Sequence, residues 1–453
     1  MSIEERLAGL SPQQREQLAQ MLEARKDVTE LVAGRVQPDR KLGLTPGQQR
    51  IWAVQDRHPG LPVDVVCQVV RIPGGDPTVV LQKLTAFCDR HPVFRLAFDR
   101  DDREVYQQVR SIPRVELSIG APLTSRQEAC DRAVALARET TDPVGGVLMR
   151  ARVCPGPSEV WCLVSVHNLV FDAWSFQLLL EGLAGEEPPS AASFQDFADW
   201  QCAWASSDPG AEATEYWQKT MREAPAPLPC DFARETDASH EGARYVVNLS
   251  QDVTAAFARL AMQESCSVFA VWAAVIQELA AEHGGSDDVV IGMFTSNREQ
   301  PASQGIVGYL LNVIPLRVRA AGTFRERVHA AWASVRGSQR YGSYPGELIA
   351  DQWGRVSEHA HRLFEWVLVY EDITASESVG EWSTYDVVDV PKGIARYELT
   401  ITVNPLADGV EVGLEYDTSR YRKETVAGLG QRLQQICERA CADPELTLEP
   451  GGN

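Results

Sequence analysis

The amino-acid sequence predicts an α/β protein built from two lobes. Its 453 residues exceed the length that one hydrophobic core usually serves, which is about 250–300 residues. Segments with strand patterns and segments with helix patterns follow one another through both halves of the chain, which is typical of α/β folds. The segment 223–243, EAPAPLPCDFARETDASHEGA, is rich in proline, alanine and charged residues, and this composition indicates a boundary.

The boundary divides the chain into three predicted parts. They are an N-terminal helical appendage with its linker, an N-terminal lobe and a C-terminal lobe, over residues 1–40, 41–225 and 226–453. Ser11 and Gln14 fit a capping box, which predicts a helix start in the appendage. Residues 26–40 are polar without a clear period and predict a linker. The appendage either docks a partner or lies as a short helix on its own domain.

In the N-terminal half, apolar residues recur with strand and helix periods in turn. Strands are expected over 64–72, 103–109, 149–153 and 159–167, and helices over 77–89, 124–140, 173–183, 193–205 and 211–223. The alternation in REVYQQV (103–109) predicts an edge strand. EVWCLVSVH (159–167) is apolar almost throughout, which predicts a strand buried on both faces.

The C-terminal half repeats the mixed pattern. Strands are expected over 245–249, 288–294, 311–318, 364–371, 396–404 and 409–416, and helices over 251–264, 267–282 and 422–442. Two α/β halves of similar size agree with the length argument.

The charge and the apolar runs of the chain argue against two classes of partner, nucleic acid and membrane. Lys and Arg total 43 against 63 for Asp and Glu, a formal charge of −20, and this balance argues against a protein that wraps nucleic acid. No stretch approaches about 18 uninterrupted apolar residues, so we expect no transmembrane helix and no membrane partner. The N-terminus, MSIEERLAGLSPQQREQLAQ, lacks the apolar core of a signal peptide, which predicts a cytoplasmic protein.

Motifs for metals and nucleotides are missing from the sequence. The ten cysteines are scattered without a CxxC pair, which favours free thiols in a reducing compartment. His359 and His361 form an HxH pair with no obvious companion ligand, so no metal site is predicted. There is no GxxxxGK[ST], no GxGxxG after a strand and no GxSxG. ATP, NAD and α/β-hydrolase chemistry are therefore not indicated.

The end of the buried strand 159–167 is the most informative segment. It delivers His167 and Asn168 to a short turn, and Asp172 follows where a new helix could begin. Strand ends in α/β sheets are where ligands and catalytic groups gather. The structural alternatives are a histidine satisfied by backbone partners and an aspartate that caps a helix.

Other motifs appear in a fixed order around this segment. They are LTPGQQRIW (44–52), RHPVFRLAF (90–98), HNLVFDA (167–173), FQDFADW (194–200), EYW (215–217), GSDDVVIG with SNR (285–292 and 296–298), and IVGYLLNVIPLR (306–317). In this set the sequence resembles the condensation domains of nonribosomal peptide synthetases, which belong to the chloramphenicol-acetyltransferase-like superfamily. The family signature HHxxxDG is degenerate here, because it reads His167-Asn168-Leu-Val-Phe-Asp172-Ala173.

The resemblance implies a fold and a reaction. The two lobes would be chloramphenicol-acetyltransferase-like and form a V-shaped pseudo-dimer with a central tunnel. Acyl or peptidyl carrier proteins would bring thioesters into this tunnel on phosphopantetheine arms, and an acceptor amine would attack the donor thioester. The domain itself would bind no metal or other cofactor.

The resemblance also assigns the catalytic positions to His167, Asn168 and Asp172. The second histidine of the signature, the proposed general base, is replaced by Asn168. A carboxamide does not titrate near neutral pH and cannot take up a proton as imidazole does. Ala173 is a smaller departure, because it adds a Cβ where the family has glycine.

Further site residues are expected from the same resemblance. Asp172 resembles the aspartate that pairs with an arginine to fix the loop, and Arg298 is the candidate partner. Trp174 is expected to be structural at the site. The substrate tunnel is expected to include Ser296, Tyr309 and Asn312, with a strand-end hydrogen bond as the alternative role of Asn312.

Two main functions and one further possibility are compatible with these residues. The first is a stand-alone condensation enzyme that transfers a carrier-bound acyl or peptidyl group to an amine or alcohol, with Asn168 as a hydrogen-bond donor. The second is a non-catalytic scaffold that recruits carrier proteins, other synthetase subunits or tailoring enzymes, as family members that lack the intact motif do. Another reaction on the same scaffold is a third possibility, and the sequence identifies neither donor nor acceptor. Acidic carriers would be repelled by a charge of −20, so we expect local Lys and Arg patches or apolar docking.

Overall fold

The computed structural model describes residues 30–101, 104–186, 190–223, 225–234, 239–319, 322–354, 363–371, 385–388 and 390–445. Strands and helices are mixed throughout, so the α/β class is confirmed. The strands in chain order are Leu42–Gly43 (β1), Val65–Pro73 (β2), Leu96–Arg100 (β3), Val105–Val109 (β4), Val115–Ile119 (β5), Met149–Pro155 (β6), Glu159–His167 (β7), Gly242–Ser250 (β8), Asp288–Thr295 (β9), Asn312–Arg319 (β10), Trp366–Tyr370 (β11), Asp386–Val388 (β12), Leu399–Leu406 (β13) and Gly409–Asp417 (β14). The α-helices are Pro46–Arg57 (α1), Pro77–Arg90 (α2), Arg126–Glu139 (α3), Ala173–Ala184 (α4), Phe194–Ala205 (α5), Asp208–Thr220 (α6), Gln251–Gln263 (α7), Val268–Gly284 (α8), Phe324–Arg340 (α9), Gly346–Gly354 (α10) and Lys423–Ala442 (α11).

A five-stranded sheet organises the first half of the chain. Its strand order is β12-β2-β7-β6-β5, and β7 runs antiparallel to both of its neighbours. Eight of the nine residues of β7 are buried, which confirms the predicted strand buried on both faces. Helix α3 packs on one face through Ala129, Ala133 and Leu136, and helix α2 contributes Val80 and Leu84 to the larger core on the other face. Strand β7 is therefore held by the core on both faces and fixes the position of its last residue, His167.

Strand β4 corrects one prediction. The alternation in 103–109 predicted an edge strand, but β4 is the middle strand of a three-stranded sheet with the order β1-β4-β3. Leu42 and Gly43 pair with Gln107 and Tyr106 on its outer side. A two-residue strand leaves no periodic pattern in the sequence, so this neighbour could not be predicted.

A six-stranded sheet organises the second half. Its strand order is β10-β9-β11-β13-β14-β8, with β11 parallel to both neighbours and every other pair antiparallel. Helix α8 buries twelve of its residues between this sheet and helices α9 and α11. An apolar helix with no polar face belongs inside a large core, which is where α8 lies.

Strand β12 joins the two halves. It follows the second-half strand β11 in the chain, yet it pairs antiparallel with β2, with Asp386 opposite Arg71 and Val388 opposite Val69. Under the proposed lobe boundaries, 41–225 and 226–453, a second-lobe strand therefore completes the sheet of the first lobe. One continuous apolar cluster also contains residues from both halves.

Most predicted elements are present with ends shifted by one to three residues. The helix predicted over 211–223 begins earlier, at Asp208, because the Ser207 hydroxyl caps it by accepting from the N–H of Gly210 and because a proline lies in its first turn. The capping-box residues of the appendage and the His359/His361 pair lie outside the described residues. The described part of the linker, residues 30–40, contains neither helix nor strand.

Within the described ranges, no helix alone is long and apolar enough to cross a membrane. Helices α7 and α8 pass the same length and composition test only as a pair, and they are bent by 110° relative to each other.

Candidate functional site at the end of strand β7

His167 ends strand β7 and is fully buried. Its Cα partner across the sheet is Val65, the first residue of β2. The Nδ1 atom accepts a hydrogen bond from the backbone N–H of Leu169 at 3.2 Å. Burial lowers the pKa of His167 to about 4, so the ring is neutral at pH 7 and carries its hydrogen on Nε2. In this state His167 braces the turn that follows.

Asn168 opens that turn, the short 3₁₀ segment Asn168–Val170. Gln48 fixes the turn from helix α1, because its Nε2 donates to the carbonyl oxygen of Leu169 at 2.8 Å. The carboxamide oxygen of Asn168 is buried and accepts no hydrogen bond from the described residues. Buried polar atoms are rarely left unpaired, so this oxygen marks a position where a partner is expected.

Asp172 caps helix α4 and is the best-bonded acidic group of the site. Its Oδ1 accepts from the N–H of Ser175 at 2.8 Å, and its Oδ2 accepts from the N–H of Leu310 at 3.0 Å. Arg298 donates to both oxygens, at 2.8 Å to Oδ2 and 3.1 Å to Oδ1. Both side chains of this ion pair are 0% exposed. The pairing expected for Asp172 and Arg298 is therefore present.

Arg298 extends this arrangement into the second half of the chain. Its guanidinium also donates to the carbonyl oxygens of Ser296 and Ile306, each at 3.1 Å. The Ser296 hydroxyl in turn accepts from the backbone N–H of Arg298 at 3.3 Å. Ser175 Oγ accepts from the N–H of Gly308 at 3.0 Å. We call the four side chains of Asp172, Ser175, Ser296 and Arg298 the clasp, because they tie the start of α4 to residues 296–310.

Trp174 and Ala173 lie on the outer side of the clasp. The Trp174 ring is 39% exposed, its Nε1 donates to the carbonyl oxygen of Gln304 at 2.9 Å, and the Arg298 guanidinium lies 5.7 Å from a ring centroid. Ala173 is exposed at the first position of helix α4 and is not among the residues with positive φ. An alanine is favourable in a helical backbone, so the expected misfit of its Cβ does not arise from the backbone conformation here.

Both polar atoms of the Asn312 side chain form hydrogen bonds with backbone groups. Its Nδ2 donates to the carbonyl oxygens of Gly342 and Tyr344 at 2.8 and 2.7 Å, and its Oδ1 accepts from the N–H of Gly346 at 2.8 Å. These bonds hold residues 342–346 against the start of β10. Of the two roles considered for Asn312, the geometry favours the strand-end hydrogen bond over a contact with substrate.

Tyr309 lies beyond the clasp and is buried. Its hydroxyl accepts from Nη2 of Arg50 at 2.7 Å, and Nε of Arg50 donates to Glu347 at 3.0 Å. Burial raises the pKa of the Tyr309 phenol, which keeps it protonated at neutral pH. Because Arg50 belongs to helix α1 and Glu347 to helix α10, this chain of polar contacts also joins the two halves.

Three charged residues near the same strand end were not predicted: Asp64, Lys392 and Arg396. Asp64 is buried and directly precedes Val65, so it lies at the end of β2 where Asn168 leaves β7. Nη2 of Arg396 lies 2.7 Å from Oδ1 of Asp64, and Nζ of Lys392 donates to the carbonyl oxygen of Val65 at 2.8 Å. The only signal in the sequence was a charged residue at the start of a predicted apolar strand.

The described residues contain no group of three or more His, Cys, Asp or Glu side chains arranged to hold a metal ion. All ten cysteines are free thiols. The chemistry available at the strand end therefore comes from a neutral imidazole, a carboxamide, two carboxylates and the cations beside them.

Comparisons with known proteins identify the family of this chain. The family model described as "Condensation domain" matches residues 39–450. Phosphinothricin tripeptide synthetase PhsC of Streptomyces viridochromogenes is 27% identical over 98% of this chain, and a dimodular nonribosomal peptide synthase of Bacillus subtilis is 26% identical over 91%. The chain spans only 43% and 18% of the lengths of these two relatives.

A similar fold is found among solved structures. The complex of the X-domain and OxyB from teicoplanin biosynthesis matches with a TM-score of 0.77 and 20% identity, covering 93% of this chain and 97% of the matched chain. The condensation domain from Monacolin K polyketide synthase MokA matches with a TM-score of 0.78 and 18% identity, covering 90% of this chain and 99% of the matched chain. The mixed α/β architecture is thus that of a condensation-domain structure. The chain belongs to the condensation-domain family of nonribosomal peptide synthetases.

Proposed function

We propose that the protein transfers a carrier-bound acyl or peptidyl thioester to an amine, with Asn168 in place of the usual catalytic histidine. The observation that carries this proposal is the complete clasp around Asp172 and Arg298. Breaking a buried ion pair typically costs about 3–5 kcal/mol, so this pair stabilises the fold, and here it also fixes the turn that carries Asn168. The clasp supports a site whose turn still has to be held in place.

Asn168 would contribute through hydrogen bonding. The amide group can donate to the oxyanion that develops on the thioester carbonyl, and one such donor is worth about 2.7–4 kcal/mol in other enzymes. It cannot accept the proton that the amine loses, because a carboxamide does not titrate in the relevant range. Asn168 therefore fits a role as electrostatic stabiliser or positioning group, and the proton needs a different acceptor.

The proposed partners are carrier proteins, which would supply both thioesters on phosphopantetheine arms. In this proposal the two lobes, 41–225 and 226–453, form a V with the reaction site between them. Ser296 and Tyr309 are proposed to border the tunnel, because the clasp and the Arg50 contact bring residues 296–310 to the junction of the halves. Asn312 would not contact substrate; it would hold residues 342–346 in place through its backbone hydrogen bonds.

A second function is favoured by Asn168 itself. Loss of the titratable histidine is what a recruitment scaffold would tolerate, and an X-domain of similar fold has been solved in complex with OxyB. In this version the protein would bind a carrier protein or a tailoring enzyme without turnover. The two functions differ in one observable property, which is the appearance of a condensed product on a carrier.

Mass spectrometry of loaded carrier proteins separates the two functions. Wild type, Asn168→Ala and Asn168→His are each incubated with cognate donor and acceptor carriers, and the condensed product is quantified. We expect product with wild type and at least a ~100-fold lower rate with Asn168→Ala, in line with the loss of one oxyanion donor. Asn248→Ala is the matched control, because Asn248 is exposed on strand β8. Product with Asn168→His but none with wild type would show that the native chain is not a condensation catalyst.

A further inference from the structure

Asp64 is the buried carboxylate that the site does not explain. It ends the 3₁₀ segment Pro62–Asp64 and precedes Val65, the Cα partner of His167. Because strands β2 and β7 are antiparallel, the residue before Val65 and the residue after His167, which is Asn168, both lie at this end of the strand pair. Asp64 and Asn168 therefore leave the same end of the same strand pair.

The oxygens of Asp64 are poorly satisfied for a group that is only 1% exposed. Neither of them accepts a hydrogen bond from the residues that the structure describes. Nη2 of Arg396 lies 2.7 Å from Oδ1 and forms an ion pair with it, but the two groups are not aligned as a hydrogen bond. Buried carboxylates normally accept several hydrogen bonds, as Asp172 does, and an exception of this kind calls for a partner.

Three cations from two segments, helix α1 and the connection between β12 and β13, lie near this carboxylate. Arg396 forms the ion pair, Arg50 of helix α1 contributes a further electrostatic attraction, and Lys392 is held next to Asp64 by its bond to the Val65 carbonyl. Burial lowers the pKa of Lys392, and the nearby groups Glu415, Cys67 and Asp64 partly oppose this effect. The negative charge of Asp64 is therefore compensated while its oxygens remain open to a new donor.

Neither motif residue is placed to accept a proton near neutral pH, since burial lowers the pKa of His167 to about 4. Nδ1 of His167 already accepts the Leu169 N–H, and its Nε2 carries the hydrogen and has no partner within the described chain. Asn168 has a carboxamide, which does not take up protons. Asp64 is the remaining proton acceptor that the described residues place at this strand end.

We propose that Asp64 accepts the proton that the acceptor amine loses, in place of the missing histidine; this rests on the proposed acyl transfer. The neutral amine nitrogen attacks the thioester carbonyl carbon and forms the C–N bond, while one N–H proton passes to the Asp64 carboxylate. The C–S bond then breaks, and the departing pantetheine thiolate takes that proton from the Asp64 carboxyl group. The products are an amide and a free thiol, and Asp64 returns to its carboxylate form.

The test compares Asp64→Asn in two backgrounds. Single-turnover formation of the carrier-bound product is measured for wild type, Asp64→Asn, Asn168→His and the double variant. In the wild-type background we expect Asp64→Asn to lower the rate at least ~100-fold, because a positioned base is worth about 10²–10⁴-fold. In the Asn168→His background a new imidazole takes the proton, so the same change should lower the rate less than about fivefold. A residue with a purely structural role would lower both rates equally, and equal losses would overturn the proposal.

Arg396→Gln is the matched control, because it breaks the same ion pair and keeps the carboxylate. We expect it to lower the rate by far less than Asp64→Asn, and equal losses would again overturn the role of Asp64. The comparison of Asp64→Asn with Arg396→Gln also tests the role of Asp64 if Asn168→His is inactive. If Asp64→Asn does not fold, the double variant Asp64→Asn/Arg396→Gln is assayed in its place and compared with Arg396→Gln. An active wild type with an equally active Asp64→Asn refutes only the role of Asp64. An inactive wild type refutes the proposed function and the role of Asp64 with it.

Discussion

Two buried aspartates, Asp64 and Asp172, lie near the motif turn, and they differ in the hydrogen bonds that they accept. Asp172 accepts from Ser175, Leu310 and Arg298, and the Arg298 pair is completely enclosed. Asp64 has one charge contact with Arg396 and accepts no hydrogen bond from the described residues. The oxygens of Asp172 thus accept several hydrogen bonds, whereas those of Asp64 accept none from the described residues.

The difference separates two tasks, support of the turn and proton transfer. A carboxylate whose lone pairs are all used can fix a loop but cannot receive a proton without breaking several bonds. A buried carboxylate whose oxygens accept no hydrogen bond from the described residues has lone pairs available for a proton that arrives during a reaction. We infer that Asp172 maintains the site and that Asp64 is available for its chemistry.

The largest expected effect is on stability, from the replacement Asp172→Ala. It leaves Arg298 buried without its counter-charge, so the free energy of unfolding should fall by about 3–5 kcal/mol in denaturant titrations. Asp76→Ala is the matched control, because Asp76 caps helix α2 with an exposed carboxylate and no ion pair is needed for that role. Its loss should cost about 1 kcal/mol. Equal losses in the two variants would break the distinction between a clasp and a simple cap.

A smaller effect is expected from the pH dependence of His167. The folded protein binds a proton on this ring only near pH 4, whereas the unfolded chain binds it near the ordinary value of 6.5. The stability contribution of neutral His167 is therefore present above about pH 6.5 and is lost as the pH falls toward 4. Between these values wild type should lose up to about 1.4 kcal/mol per pH unit more than His167→Gln does. If the free energy of unfolding of the two proteins changes equally with pH over this range, His167 is not held neutral in the folded protein.

The smallest effect is expected at Ala173, directly after Asp172. Ala173 is in a helical position without positive φ, so Ala173→Gly should lower the free energy of unfolding by no more than about 1 kcal/mol. Ala255→Gly, at an exposed interior position of helix α7, provides the reference cost of glycine in a helix. A gain in stability on Ala173→Gly would show that the Cβ strains the turn after all.

Much of the fold could be predicted from local patterns in the sequence. The apolar run of β7 predicted a strand buried on both faces, and the resemblance of residues 167–173 and 296–298 to the family motifs implied the ion pair of Asp172 with Arg298. Both depend on short stretches with a strong pattern. Helix α6 was displaced by three residues, because its start is set by the Ser207 cap rather than by apolar periodicity.

The parts that escaped prediction depend on contacts between distant segments. Strand β12 is three residues long, and its place in the first sheet is decided by pairing with β2. Asp64 could be read as the first residue of a strand, but nothing nearby in the sequence indicates that Arg396 and Lys392 would come to lie beside it. Likewise, only the return of residues 342–346 to Asn312 reveals how that amide is used.

The most direct test of the division between the two aspartates is the transfer rate per folded molecule. Asp64→Asn and Asp172→Asn are assayed with loaded carriers in single turnover, and each rate is divided by the folded fraction measured under the same conditions. We predict that folded Asp64→Asn transfers at least ~100-fold more slowly than wild type, as expected for the loss of a general base. Folded Asp172→Asn should retain the higher rate of the two, with its loss appearing in the folded fraction. Transfer by folded Asp64→Asn at the wild-type rate would contradict the assignment.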